Sequence, residues 1–178
     1  MKKNLLLKLL LILFCFSCSS DNNKNDILVE DSIEAQMSAA YKEGIFSLEE
    51  RDFLFAAKKF NDAELLYPQS LWAPRAALMS AYTYYSGNYY SDSIYELKRF
   101  IKVYPDNKNL DYAYFLLAMN YYETIVDESK DLEPMIESRK YFEHIVKYYP
   151  QTDYAVDARF KLDLIKNIFA AKQMYIGR

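Results

Sequence analysis

Apolar residues recur at helical spacing along most of the chain beyond residue 30. Tyr112, Phe115, Leu116 and Met119 repeat in steps of three and one, then three, and Ala158, Leu162, Ile165 and Phe169 in steps of three and four. Such spacing gathers them on one face of a helix. The same reading along the sequence predicts helices over about 31–49, 53–67, 71–86, 90–104, 109–127, 135–149 and 152–178.

The helices are organised by an internal repeat. The segments Ala56–Pro68, Ser93–Pro105 and Ser138–Pro150 align without gaps. In each, a small residue is followed four places on by a large apolar one: Ala56 and Phe60, Ser93 and Leu97, Ser138 and Phe142. Each ends in Tyr-Pro, at Pro68, Pro105 and Pro150. A small residue lets two helices approach, the bulky one fills the space a turn later, and Pro stops the helix. The tetratricopeptide repeat has this A-x3-F and terminal Pro spacing in its second helix. First helices are expected upstream. Tyr114, Leu117, Ala118 and Tyr121 fit their pattern, Ala81 and Tyr84 fit its second half, and Gly44 takes the close-contact place in the first repeat. The predicted fold is therefore all-α, an α-solenoid of stacked antiparallel helix pairs. Its repeats run over 31–68, 69–105, 106–150 and an incomplete 151–178. The extra residues of the third repeat fall in a polar stretch, Asp127–Pro134, expected to be an exposed loop. With no second helix after the last one, Ile165, Phe169 and Ile176 are expected to face water or a partner.

The first residues follow a different pattern. Lys2 and Lys3 precede an apolar run from Leu5 to Phe16, broken only by Lys8, and the chain turns polar after Ser17-Cys18. That is the layout of a secretory signal, too short to span a membrane. A small residue before Cys at this point is similar to a bacterial lipobox, which makes 1–17 a lipoprotein signal peptide and Cys18 the lipidated residue. Residues 18–30 read as a flexible tether. Cys15 and Cys18 are the only cysteines, so no disulfide or thiolate metal site is expected beyond the leader.

Charge and chemistry narrow the function. The whole chain carries a formal −3, and three of its 22 basic residues lie in the leader, so the remainder is more acidic still. That balance argues against nucleic acid as a partner. His144 is the only histidine and Gly44, Gly87 and Gly177 are isolated, which leaves no catalytic constellation, phosphate loop or metal set. The expectation is a binding scaffold, not an enzyme, with no cofactor.

With these features in hand, the chain resembles the BamD (ComL) family, lipoprotein subunits of the outer-membrane β-barrel assembly machine. The resemblance rests on three strings. Ala81-Tyr82-x-Tyr84-Tyr85 leads to Arg99-Phe100-Ile101 and Pro105. Asn109-Leu110-Asp111-Tyr112-x-Tyr114 opens the next repeat. Tyr149-Pro150 is followed by Tyr154, Asp157, Ala158 and Leu162. It implies a protein on the periplasmic side of the outer membrane, held by its lipid, with the barrel-inserting subunit, other lipoproteins of the machine and unfolded β-barrel precursors as partners. Family members carry about five repeats, so the expectation is of a chain truncated within the fourth. A periplasmic tetratricopeptide lipoprotein serving cell-wall or division enzymes is the rival reading; it shares the repeats but lacks the Asn-Leu-Asp-Tyr and Arg-Phe-Ile strings.

The chain has 18 tyrosines. A Tyr-lined groove would hold an extended client through ring contacts and hydroxyl hydrogen bonds. The candidates are Tyr67, Tyr82, Tyr85, Tyr89 and Tyr122, with Arg75, Arg99 and Lys98 to meet a client's C-terminal carboxylate. Asp111 is expected to cap its helix.

Overall fold

A computed structural model describes residues 23–125 and 132–176. The leader, Cys18 and the first residues of the predicted tether lie outside the described residues. Among the described residues seven helices follow one another: α1 (Asn23–Glu49), α2 (Phe53–Leu66), α3 (Ala73–Ser86), α4 (Tyr90–Val103), α5 (Leu110–Glu123), α6 (Glu133–Tyr148) and α7 (Asp153–Ile176). Among the described residues there is no strand. Each helix packs on the next, and α3 also touches α5 as α5 touches α7. The fold is thus an all-α solenoid of helix pairs, with its first helices side by side in one layer.

The helix ends follow local chemistry. Tyr67, Tyr104 and Tyr149, each before a proline, adopt φ/ψ of −142/73, −121/59 and −127/45 degrees. These lie outside the helical basin, as the steric demand of the following Pro requires. Asp52 caps α2 by accepting the Phe55 N–H at 3.3 Å. Asp111 is not the cap of α5: Asn109 holds that place, and Asp111 lies in the first turn with its carboxylate accepting the Tyr112 N–H at 2.8 Å. An acid there still suits the helix dipole. α1 begins at Asn23, so part of the stretch expected to be a tether is helical. No Gly or Pro occurs before Gly44 to stop it. Likewise α6 begins at Glu133 and takes Pro134 into its first turn, where the missing N–H has no helical partner to lose.

The repeat contacts are those the spacing anticipates. Phe60, Leu97 and Phe142 are fully buried, as are Ala56, Ser93 and Ser138 one turn before them. The Ser93 hydroxyl donates to the Ala81 carbonyl at 2.9 Å, and Ser138 donates to the Ala118 carbonyl at 3.0 Å. The small residues therefore join the two helices of a pair by a hydrogen bond as well as by close approach. In the first pair Gly44 performs the approach alone: a Cβ there would sit 2.9 Å from the Phe60 ring. Ile165 does not face water, since it is buried in the cluster built around Met135, Phe142 and Ile145. Phe169 is part-exposed, at 38%.

A bolt joins the first two repeats. Arg99 on α4 donates from both terminal nitrogens to the Glu64 carboxylate on α2, at 2.8 and 2.6 Å. Its Nε donates to Glu96 at 2.8 Å, and the Tyr104 hydroxyl donates to Glu64 at 2.7 Å. Glu64 is buried, so these bonds replace its lost hydration. The carboxylates hold the Arg99 guanidinium well above its ordinary range, hydrogen bonding to Glu64 contributing most. Burial foremost, with Glu64 adding to it, pushes the Tyr104 hydroxyl up.

Candidate client-binding groove

The layer of first helices carries two grooves. One lies between α1 and α3 and encloses about 720 Å³. Its floor and walls include Met37, Tyr41, Ile45, Trp72 and Arg75. The other, of about 330 Å³, is bounded by α3, α5 and α7 and is lined by Arg75, Met79, Tyr82, Asn109, Tyr112 and Tyr154. Helical spacing explains the α3 contribution: Arg75, Leu78, Met79 and Tyr82 share one face by steps of three and one, then three.

The second groove is aromatic and neutral apart from its one cation. The Tyr112 and Tyr154 rings meet at 5.4 Å between centroids, tilted by 45 degrees. Burial pushes both hydroxyls up, and Asp111 adds to the effect at Tyr154. Both stay protonated near neutral pH and can donate or accept. The first groove is built around Trp72. The Tyr41 ring meets it edge-on at 5.6 Å, and the Arg75 guanidinium lies 5.1 Å from its centroid.

The predicted residues do not all come together. Tyr82 and Arg75 share the α3–α5–α7 groove. Tyr67 packs instead on the cluster of Met37, Ala63 and Ala76. Tyr85 is half-buried against the core of the second repeat, with the Tyr90 ring 6.0 Å away. Tyr89 is exposed at the turn between α3 and α4. Tyr122 packs on Phe142 at 6.4 Å, with the Lys161 ammonium 4.2 Å from its ring centroid. Arg99 lies outside both grooves, bonded to Glu64 and Glu96. The Lys98 ammonium lies over the Tyr121 ring, 5.5 Å from its centroid.

Tyr112 was legible as an apolar-face position and as part of the Asn-Leu-Asp-Tyr string, and Tyr154 only as part of the string after Tyr149-Pro150; neither was read as a groove residue. Tyr41 and Trp72 carried no separate signal. His144 lies among aromatic rings, 4.1 Å from Tyr114 and 4.5 Å from Tyr148 between centroids. Burial lowers its pKa, and Lys147 adds to that. Among the described residues no group of His, Cys, Asp and Glu could hold a metal ion, and no helix is long and apolar enough to cross a membrane.

Comparison with known proteins places this architecture. Residues 33–178 match the YfiO family, described as "Outer membrane lipoprotein". A relative from Caulobacter vibrioides, named outer membrane protein assembly factor BamD, is 34% identical over 161 residues, which is 90% of this chain and 52% of that protein. The protein of the same name from Rickettsia prowazekii is 34% identical over 180 residues, covering 100% of this chain and 69% of its own length. A third, from Vibrio cholerae, is 23% identical over 96% of this chain and 72% of its own. The chain thus spans about half the length of the Caulobacter relative. On these matches the chain belongs to the YfiO family of outer membrane lipoproteins.

Proposed function

We propose that this chain is a lipid-anchored scaffold for β-barrel assembly at the outer membrane. Cys18 carries the acyl chains, and the solenoid faces the periplasm. Its first-helix layer receives unfolded barrel precursors and passes them to the barrel-inserting subunit, alongside other lipoproteins of the assembly machine. The work is binding and hand-over, with no bond made or broken and no cofactor. The naming of its relatives as assembly factors supports the role. The observation that carries the groove is the convergence of Arg75, Tyr82, Tyr112 and Tyr154 from three helices on one cleft. Rings and hydroxyls together suit an extended chain, which offers apolar side chains and unpaired peptide groups at once.

A photoreactive amino acid at Tyr82, in the full chain in cells, tests this. Barrel precursors should crosslink there and not from Tyr95, which is 67% exposed on α4, outside both grooves. Capture of cell-wall or division enzymes at Tyr82 instead would transfer the groove to the adaptor reading.

A further inference from the structure

Arg75 stands where the two grooves meet, lining both. Its guanidinium is held over two rings, 5.1 Å from the Trp72 centroid and 5.9 Å from that of Tyr41. The ion pairs among the described residues engage Lys59, Arg99, Arg139 and Lys140, and Arg75 is in none of them. Glu34 and Lys42 both line the first groove, where their charges offset each other. The second groove holds no acidic side chain. The two grooves together therefore present one net charge, a guanidinium braced by aromatic rings between apolar walls. A carboxylate complements that arrangement, because it takes the planar fork in charge-assisted bonds.

Geometry says where along a client the carboxylate must lie. α3 separates the grooves, so a segment that fills both crosses α3 over Arg75. Neighbouring packed helices lie about 8–10 Å apart. An extended chain advances about 3.3 Å per residue, and alternate side chains point the same way. Residues two before and two after the one over Arg75 then reach the two grooves, about 13 Å from one to the other along the strand. A chain terminus over Arg75 would leave one groove empty.

We propose that the two grooves together select extended segments of the pattern apolar–x–acidic–x–apolar, the internal Asp or Glu side chain pairing with Arg75. This deepens the client-binding reading above and rests on it. The test is fluorescence anisotropy with the full chain and labelled, C-terminally amidated peptides containing Tyr-Thr-Glu-Thr-Phe or Tyr-Thr-Gln-Thr-Phe. The Glu peptide should bind about tenfold more tightly, as one added charge-assisted pair implies. Arg75→Gln should abolish the difference, and Arg75→Lys should keep part of it. Tyr82→Ala should weaken both peptides alike. Equal binding of the two peptides, a gap that survives Arg75→Gln, or no binding of either would overturn the proposal. So would a Gln peptide ending in a free Phe carboxylate that binds as tightly as the Glu peptide, since that would put the terminus at Arg75. Crosslinking of barrel precursors at Tyr82 reads separately: if it persists while the peptides fail to discriminate, the pattern falls and the client-binding role stands.

Discussion

Removing Arg99 should expose how much of the solenoid's cohesion runs through one buried carboxylate. In Arg99→Ala, Glu64, 5% exposed in the intact chain, keeps only the Tyr104 hydroxyl, 2.7 Å away, to bond it. Losing one partner of a buried ion pair costs roughly 3–5 kcal/mol, because the other charge is left uncompensated. The Arg99 side chain is 30% exposed, so water enters the vacated space and the cost should come down to about 2–3 kcal/mol. For a chain of this size that is a fall in Tm of about 4–12 °C. Urea unfolding followed by circular dichroism measures it. Because the bond joins α2 to α4 across the repeat boundary, the variant should also broaden or split the transition, as neighbouring repeats uncouple. The second arm is Glu64→Leu combined with Arg99→Met, measured beside each of those two single variants, which removes both charges and keeps the volume. It should recover at least half of the loss, so the cycle is non-additive by about 1 kcal/mol or more. A loss below about 0.5 kcal/mol, or a cycle that closes additively, would refute the argument that Glu64 depends on Arg99. Arg99→Ala should leave crosslinking at Tyr82 unchanged, since its guanidinium serves the stack and not the groove.

Gly44→Ala gains about 1 kcal/mol of helix propensity but drives a Cβ to 2.9 Å from the fully buried Phe60 ring. Overpacking costs about 1–3 kcal/mol, so the variant should be less stable by about 1 kcal/mol in urea unfolding, with Phe60→Leu in the same chain recovering part of it. A stabilised Gly44→Ala would show that the ring retreats freely. His144 is held below its ordinary pKa of 6.5 by burial first and by Lys147 second. The unfolded chain then binds the proton more readily, so this stability is present above about pH 6.5 and lost as pH falls below it. His144→Phe keeps a ring beside Tyr114 and Tyr148, and thermal melts at about pH 7.5 and pH 5 should show a smaller acid-side drop than the unaltered chain.

The fold was legible because its punctuation is local. A Tyr before a Pro cannot stay helical, so the ends of α2, α4 and α6 could be read to within a residue or so. The small-to-large step at Ser93 and Leu97 likewise encodes a contact that its own helix presents. The start of α1 was harder, since polar Asn and Asp residues suit a tether and a helix N-terminus equally. The groove was less legible for a different reason. Helical period says which residues share a face, not which face looks inward. Tyrosine fits a core edge, a helix end and a ligand groove with the same ring and hydroxyl, so Tyr67 and Tyr82 look alike in sequence. The pairing of Arg99 with Glu64 was not legible, because Glu64 lies 35 positions away and no local pattern links the two.

The two helices of each repeat are under opposite demands, and this decides where recognition can sit. Second helices must meet the first helix of their own pair and carry the bolt between repeats. Ser93 and Ser138 spend their hydroxyls on carbonyls, and Glu64, Glu96 and Arg99 spend their charges on one another. A side chain so committed gains little from a client, because any new bond replaces one already made. First helices contribute small residues such as Ala81 and Ala118 to the stack, which need no polar partner beyond their own carbonyls. Their groove positions include rings and Arg75, whose charge is braced by π faces but not neutralised. On the proposed client-binding role, selection on the first-helix face would act through groups whose bonding capacity is still open, and changes there should alter client choice before they alter stability.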